Sequence, residues 1–278
     1  MSVSSRFKSG TVEDIRMLHR AFSLFSRAII SGLFPPVCSF CEATGVDGDW
    51  LLCPECMHSI KWVTEPFCRQ CGRSWSGLSQ DGLGICGSCL SSPPSYDSAR
   101  YGAYYQAELR RAIIRLKFSG ALYLRRTLSY VMIQTFDRYF RETHLDLIVP
   151  VPMHHKRLIS RGFNQVVVLG EKLASYTGIR LDRTSLRKVK DTLPQVGLSR
   201  AERIQNLKGS MAVIRPDAVE GKSVLLVDDV ATSGATIHQA ARTLKKAGAS
   251  QVHCLVLALR PRVTVESVEG GDDHFSSG

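Results

Sequence analysis

The chain has 278 residues, 44 % hydrophobic and 22 % charged, enough for a sizeable core and outside the range of disordered polymers. It contains no run of about eighteen apolar residues, so the sequence predicts no spanning helix. Lys and Arg number 36 against 25 Asp and Glu, a formal charge of +11, which puts polyanions first among partners: phosphorylated metabolites, nucleic acid or anionic lipid.

At the amino terminus Arg6, Lys8, Arg16 and Arg20 precede the stretch AFSLFSRAIISGLF. Arg27 interrupts that stretch and no small-residue cleavage pattern follows, which argues against a secretory signal. The spacing predicts an amphipathic helix over about 13–33, within a segment 1–36 that Pro35 and Pro36 bring to a stop. Most such helices pack on their own protein. The basic and aromatic residues of this one make a peripheral membrane contact the alternative.

Eight of the nine cysteines fall within 37–92 as four C-x-x-C pairs: Cys38/Cys41, Cys53/Cys56, Cys68/Cys71 and Cys86/Cys89. Two thiolates three residues apart on a tight knuckle reach one Zn²⁺ at about 2.3 Å, and a second knuckle closes a tetrahedral shell. Redox pairs or disulfides are the competing reading, and four repeats of one spacing favour metal. The spacing leaves sequential and interleaved pairing open, although loops of 11 and 14 intervening residues suit sequential ribbons. A segment this short of apolar periodicity draws its folding free energy from metal. Thiols kept as ligands also argue for a reducing, cytoplasmic setting.

SSPPS at 91–95 reads as a domain break, and the pattern then turns α/β over 96–262. ARYGAYY reads as a strand, ELRRAIIRLKF as a helix with Leu109, Ile113, Leu116 and Lys117 near helical spacing, and ALYLRRTLSYVMIQTFDRYF as a second helix. LDLIVPVP is a buried strand, followed by a basic loop and a helix opened by Asn164. SVLLV and QVHCLVLAL are continuous apolar strands flanking the helix GATIHQAARTLKKAG. Such alternation predicts a mostly parallel sheet covered by helices on both faces, with ligands at the carboxyl ends of its strands. Residues 263–278 read as a disordered tail. Between Arg100 and Arg215 stand 22 Lys/Arg and 8 Asp/Glu, so the basic excess is concentrated here.

The segment VLLVDDVATSGAT (224–236) carries the chemistry. A buried strand ends at two carboxylates, Asp228 and Asp229, and a loop of small and hydroxylated residues feeds a helix. Amide N–H groups at that helix start, with Thr232, Ser233 and Thr236 beside them, suit a phosphate monoester. Gly234 permits close backbone approach. The two acids suit sugar hydroxyls or Mg²⁺. The combination points to a phosphorylated sugar, and that reading requires an Asp228 not walled off from solvent and a hollow beside 232–236. The patterns G-x-x-x-x-G-K-[ST] and G-x-G-x-x-G are both absent.

These thirteen residues resemble the 5-phosphoribosyl-1-pyrophosphate (PRPP) signature of type I phosphoribosyltransferases. With VPVPMHHKRLISRGFNQV and the cysteine pairs, residues 30–262 resemble the ComF family, also called ComFC or GntX-like. The resemblance implies an α/β type I phosphoribosyltransferase-like fold preceded by a small double zinc ribbon. It implies that Asp228 and Asp229 bind the ribose 2′ and 3′ hydroxyls, and that the backbone of Ala231, Thr232, Ser233, Gly234, Ala235 and Thr236 holds the 5′-phosphate. Lys156, Arg157 and Arg161 would face the pyrophosphate, with Mg²⁺ accompanying PRPP. Gln195, Arg200, Arg203 and Asn206 would belong to a mobile loop over the site. Loss of pyrophosphate through an oxocarbenium-like state needs no protein nucleophile.

Two functions follow. The resemblance implies a cytoplasmic role in natural competence, handling incoming single-stranded DNA together with other competence proteins, with PRPP as ligand. The alternative is an active phosphoribosyltransferase whose acceptor, a base or an amine, nothing in the sequence identifies. Tyr101, Tyr104 and Tyr105 offer stacking faces for single-stranded DNA, against the plainer reading of a half-buried strand. His154 and His155 read as solvated loop residues, and Cys254 as core.

Overall fold

The structure is a computed structural model that describes residues 36–46, 50–74, 84–191, 202 and 206–261. The expected helix over 13–33, the tail 263–278 and the loop residues Gln195, Arg200 and Arg203 lie outside the described residues. Contacts divide the chain into two compact units, Met1–Met57 and His58–Gly278.

In the first unit the Cys38 knuckle closes through Glu42 N–H on the Cys38 carbonyl and Cys38 N–H on Ala43, both 2.8 Å. Val37 and Thr44 form an antiparallel bridge across it. Helix α1 (Pro54–Ser59) carries Cys56.

The second unit opens with a matching knuckle at Cys68 and a short helix, α2 (Gly87–Ser91), that carries Cys89. Strand β1 (Ser98–Tyr104), helix α3 (Ala107–Phe118), a 3₁₀ turn (Leu122–Leu124) and α4 (Arg125–Tyr139) follow. Next come β2 (Leu147–Pro150), α5 (His155–Arg161), α6 (Gln165–Thr177) and β3 (Arg180–Leu181). The chain continues with β4 (Leu186–Lys188), β5 (Met211–Val213), β6 (Ser223–Ala231), α7 (Ala235–Lys246) and β7 (Gln251–Leu259). The main sheet runs β1-β7-β6-β2-β3, with every pair parallel. Strands β4 and β5 form a separate antiparallel ribbon framing 189–210.

The central strands carry continuous apolar runs, Val224–Val227 and Cys254–Leu259, because both faces are covered. Val224, Leu226, Val252, Cys254 and Val256 pack with Ile237, Ala240, Ala241 and Leu244 of α7. On the other face a Cβ at Gly170 of α6 would meet Val227 and Ile148, and one at Gly102 would meet Val131 and Thr135 of α4. Cutting Leu244, fully buried, to Ala would cost about 2–5 kcal/mol.

The free edge of β1 is covered by the chain that enters it. Val63 N–H donates to Gly102, Tyr104 N–H to Lys61 and Ala99 N–H to Gln70, so the edge offers no open ladder to a second chain. A Cβ at Gly72 would overlap the Ala99 carbonyl, which is why this knuckle carries glycine there.

Two local expectations change. The basic segment expected as a loop contains α5, closed by Gly162 in the left-handed conformation at φ +82°. Strand β6, expected to end at the acids, runs on through Ala231, which pairs with Leu259. Asp228 and Asp229 therefore sit inside the ladder and, as adjacent strand residues, point to opposite faces of the sheet.

Candidate ligand site and metal centres

The cysteines group sequentially. The sulfurs of Cys38, Cys41, Cys53 and Cys56, and separately those of Cys68, Cys71, Cys86 and Cys89, lie within 4.8 Å of one another. The sulfurs of Cys41 and Cys53 stand 3.7 Å apart and those of Cys71 and Cys86 3.8 Å. A tetrahedron with Zn–S of about 2.3 Å has edges of about 3.8 Å, whereas a disulfide brings sulfurs to about 2.05 Å. The electrostatics agree. Burial pushes the Cys68 thiol up, but the amides of Cys71, Cys86 and Gln70 outweigh it and bring it down to about 7. Cys38 is likewise brought down to about 6 by amides acting against burial. Burial pushes Cys71 up to about 11, helped by the neighbouring Cys68 and Cys86. Four thiolates so close need a cation among them, and both donor sets fit Zn²⁺.

In the second unit the acid pair is asymmetric. Asp228 lines a cavity of 310 Å³ with Thr232, Gly234, Thr236, Lys117 and Phe118, although only 7 % of its surface is exposed. The hollow that the phosphosugar reading requires is present. Burial and the neighbouring Asp229 push the Asp228 carboxyl up to about 7, opposed by the Asp229 N–H, 2.9 Å away, and by Lys117.

Asp229 faces the other way, into a hydrogen-bonded chain. Lys117 Nζ of α3 lies 2.7 Å from its Oδ2, and Gln165 Nε2 of α6 donates to the same oxygen at 2.6 Å. Arg161 of α5 donates to Gln165 Oε1 at 2.6 Å, and its guanidinium lies 5.1 Å from the Phe118 ring centre. Asn164 positions Gln165 by capping α6, its Oδ1 accepting from Val166 N–H at 3.0 Å.

Of the three basic residues assigned to the pyrophosphate, Arg161 thus reaches the acid pair through Gln165. Lys156 pairs with Asp191 at 3.3 Å, and Arg157 stands exposed on α5. Ala231 ends β6 in the ladder, and Thr232, Ser233, Gly234, Ala235 and Thr236 form the turn into α7. There Ala235 N–H donates to Ser233 Oγ at 3.4 Å, and Gly234 takes φ +81°.

Tyr101 and Tyr104 follow the plainer reading of a half-buried strand, whereas His154 differs from expectation. Tyr101 is fully buried and offers no stacking face, because it points into the core under β1. The Tyr104 hydroxyl lies 2.5 Å from Ser74 Oγ, and Tyr105 lines the acid cavity. His154 is buried against His155, their ring centres 4.5 Å apart, rather than solvated. Lys117 and Gln165 were not among the site residues read from the sequence. A lysine in the apolar register of α3, after Leu109, Ile113 and Leu116, was the available signal.

Comparison with known proteins matches these parts. Residues 29–90 match the double zinc ribbon domain and residues 165–275 the phosphoribosyl transferase domain. Competence protein F of Haemophilus influenzae is 32 % identical over 211 residues, covering 74 % of this chain and 90 % of that protein. DNA utilization protein YhgH of Escherichia coli is 32 % identical over 232 residues, covering 81 % and 98 %. Competence protein ComFC of Bacillus subtilis is 27 % identical over 209 residues, covering 72 % and 80 %. Sulfur geometry and the ribbon match together support two Zn²⁺ sites, and no helix among the described residues is long and apolar enough to cross a membrane. The chain belongs to the ComF family, in which a double zinc ribbon is joined to a phosphoribosyltransferase domain.

Proposed function

We propose that this protein binds PRPP in the Asp228 cavity and acts in natural competence, handling transforming single-stranded DNA in the cytoplasm. The observation that carries the phosphosugar half is one hollow bordered at once by an acid toward the end of the β6 ladder, Asp228, and by the turn Thr232–Thr236 at the start of α7. Ribose hydroxyls donate to Asp228, and the 5′-phosphate takes the amides of the turn. Lys117, Arg161 and Arg260 supply positive charge around the acids and the cavity, offsetting that of the diphosphate. The names of the relatives, competence protein and DNA utilization protein, support the DNA half, as does the formal charge of +11. Eight cysteines suited to metal rather than disulfides support a reducing compartment.

The acid pair offers Mg²⁺ no ready shell. Asp229 is engaged by Lys117 and Gln165, and the only clusters of three or more metal-ligating groups among the described residues are the two cysteine tetrads. Mg²⁺ then enters as a counterion of the ligand's diphosphate. The residue-level roles of Lys156 and Arg157 toward the pyrophosphate remain part of this proposal.

A second reading, transfer of phosphoribose to an acceptor, is favoured by Phe118. It is 74 % exposed at the edge of the acid cavity, where a planar acceptor could lie against its ring. Calorimetric titration with PRPP tests the main reading: wild type binds and Asp228→Asn loses at least about tenfold in affinity. Equal affinity in the variant would remove the ribose assignment. Release of pyrophosphate over a panel of bases and amines separates the second reading from the first.

A further inference from the structure

The phosphate-side turn is held from outside its own sheet by the second zinc ribbon. Arg73 follows the Cys68–Cys71 knuckle by two residues, and its Nη2 donates to the Thr232 carbonyl, 159 residues away in sequence. The same nitrogen lies 3.9 Å from where a Cβ on Gly234 would stand. A turn that directs its N–H groups toward an anion directs its carbonyls away, and those carbonyls need donors of their own. Arg73 supplies one, and adds a full positive charge behind the turn.

The base of Arg73 is fixed. Its carbonyl accepts from Cys68 N–H at 3.0 Å, closing the knuckle. Ser74, the next residue, bridges Phe67 and meets the Tyr104 hydroxyl at the end of β1. Gln70 and Gly72 lie against Ala99 of β1. The guanidinium therefore reaches from a metal-built knuckle on the edge strand, past β7, to the end of β6. Behind the turn is a cavity of 420 Å³, bordered by Arg73, Ser88, Tyr96, Gly234 and His238.

We propose that Arg73 is a positioning residue that holds the 232–236 turn in its anion-receiving shape, which makes the second ribbon a working part of the phosphosugar site. The inference rests on the phosphosugar reading for its ligand, and its test separates the two. In the full zinc-loaded chain, Arg73→Ala is expected to keep two zinc ions per chain while amide exchange over 232–236 quickens about tenfold. Affinity for ribose 5-phosphate should fall about tenfold. Guanidinium at low millimolar concentration should restore much of that affinity, and Arg73→Lys, which keeps the charge without the fork, should restore little. Unchanged exchange over the turn, or affinity lost equally with no guanidinium rescue, would overturn the role given to Arg73. The exchange is read without ligand, so it decides that role even if wild type binds neither ribose 5-phosphate nor PRPP, a result that would instead sink the phosphosugar reading.

Discussion

The two ribbons share a coordination chemistry and differ in what they are joined to. The first takes all four cysteines from within Met1–Met57. The second belongs to the unit His58–Gly278 and is tied by hydrogen bonds to β1 and, through Arg73, to the turn before α7. On the reading proposed above, zinc in the first folds a local segment, whereas zinc in the second also fixes the knuckle from which Arg73 reaches the Thr232 carbonyl. Equal cysteine spacing thus says nothing about equal function; the residue two places beyond the knuckle does.

The largest expected effect breaks the ribbons one at a time. Cys86→Ser and Cys38→Ser should each leave one zinc per chain, removing a share of the about 10–16 kcal/mol that such sites supply. Cys86→Ser should lower the melting temperature of the larger unit and weaken PRPP binding at least about tenfold. Cys38→Ser should leave PRPP affinity within about twofold, because none of the described residues of that unit lines the acid cavity. Equal losses in both variants would dissolve the distinction.

Next in size is the Lys117–Asp229 pair, whose side chains are 18 % and 8 % exposed. Lys117→Met leaves a nearly buried carboxylate unpaired and should destabilise the larger unit by about 3 kcal/mol in denaturant unfolding. Adding Asp229→Asn should recover part of that loss. Additive losses would mean that the pair does not couple.

The smallest effect is pH-dependent. Asp228 titrates near 7 in the folded chain, through burial and the adjacent Asp229, against an ordinary value of 3.8. Between those values the folded chain holds a proton that the unfolded chain has lost, so stability falls as pH rises from about 4 to 7. Asp228→Asn should therefore be more stable than wild type at pH 8, by about 2 kcal/mol after allowance for water in the cavity. The gain should vanish near pH 4, and a pH-independent difference in thermal unfolding would contradict it. The same variant should bind PRPP poorly, so the strain of a buried acid is kept for its ligand.

Much of this molecule was legible because its signals are local. Continuous apolar runs marked β6 and β7, Asn164 marked the start of α6, and cysteine spacing favoured the sequential tetrads that the structure shows. The paired acids and the turn after them drew attention to the cavity. What stayed hidden depends on distant partners. Lys117 meets Asp229 only once α3 packs beside β6, and Arg73 meets Thr232 only once the ribbon lies on β1. The continuation of β6 through the acids depends on Val230 and Ala231 finding Ala258 and Leu259 on β7. Tyr101 looks like an alternating strand residue, yet covering both faces of the sheet buries it.

On the proposed reading one cavity holds a pentose at Asp228 and its phosphate at 232–236, with the second ribbon behind. A crystal structure of the zinc-loaded chain with ribose 5-phosphate tests it most directly. Ribose hydroxyls are expected within hydrogen-bond distance of Asp228, phosphate oxygens on the amides of Ser233 to Thr236, and Arg73 still on the Thr232 carbonyl. Ligand density elsewhere, or an empty cavity at saturating ribose 5-phosphate, would contradict it.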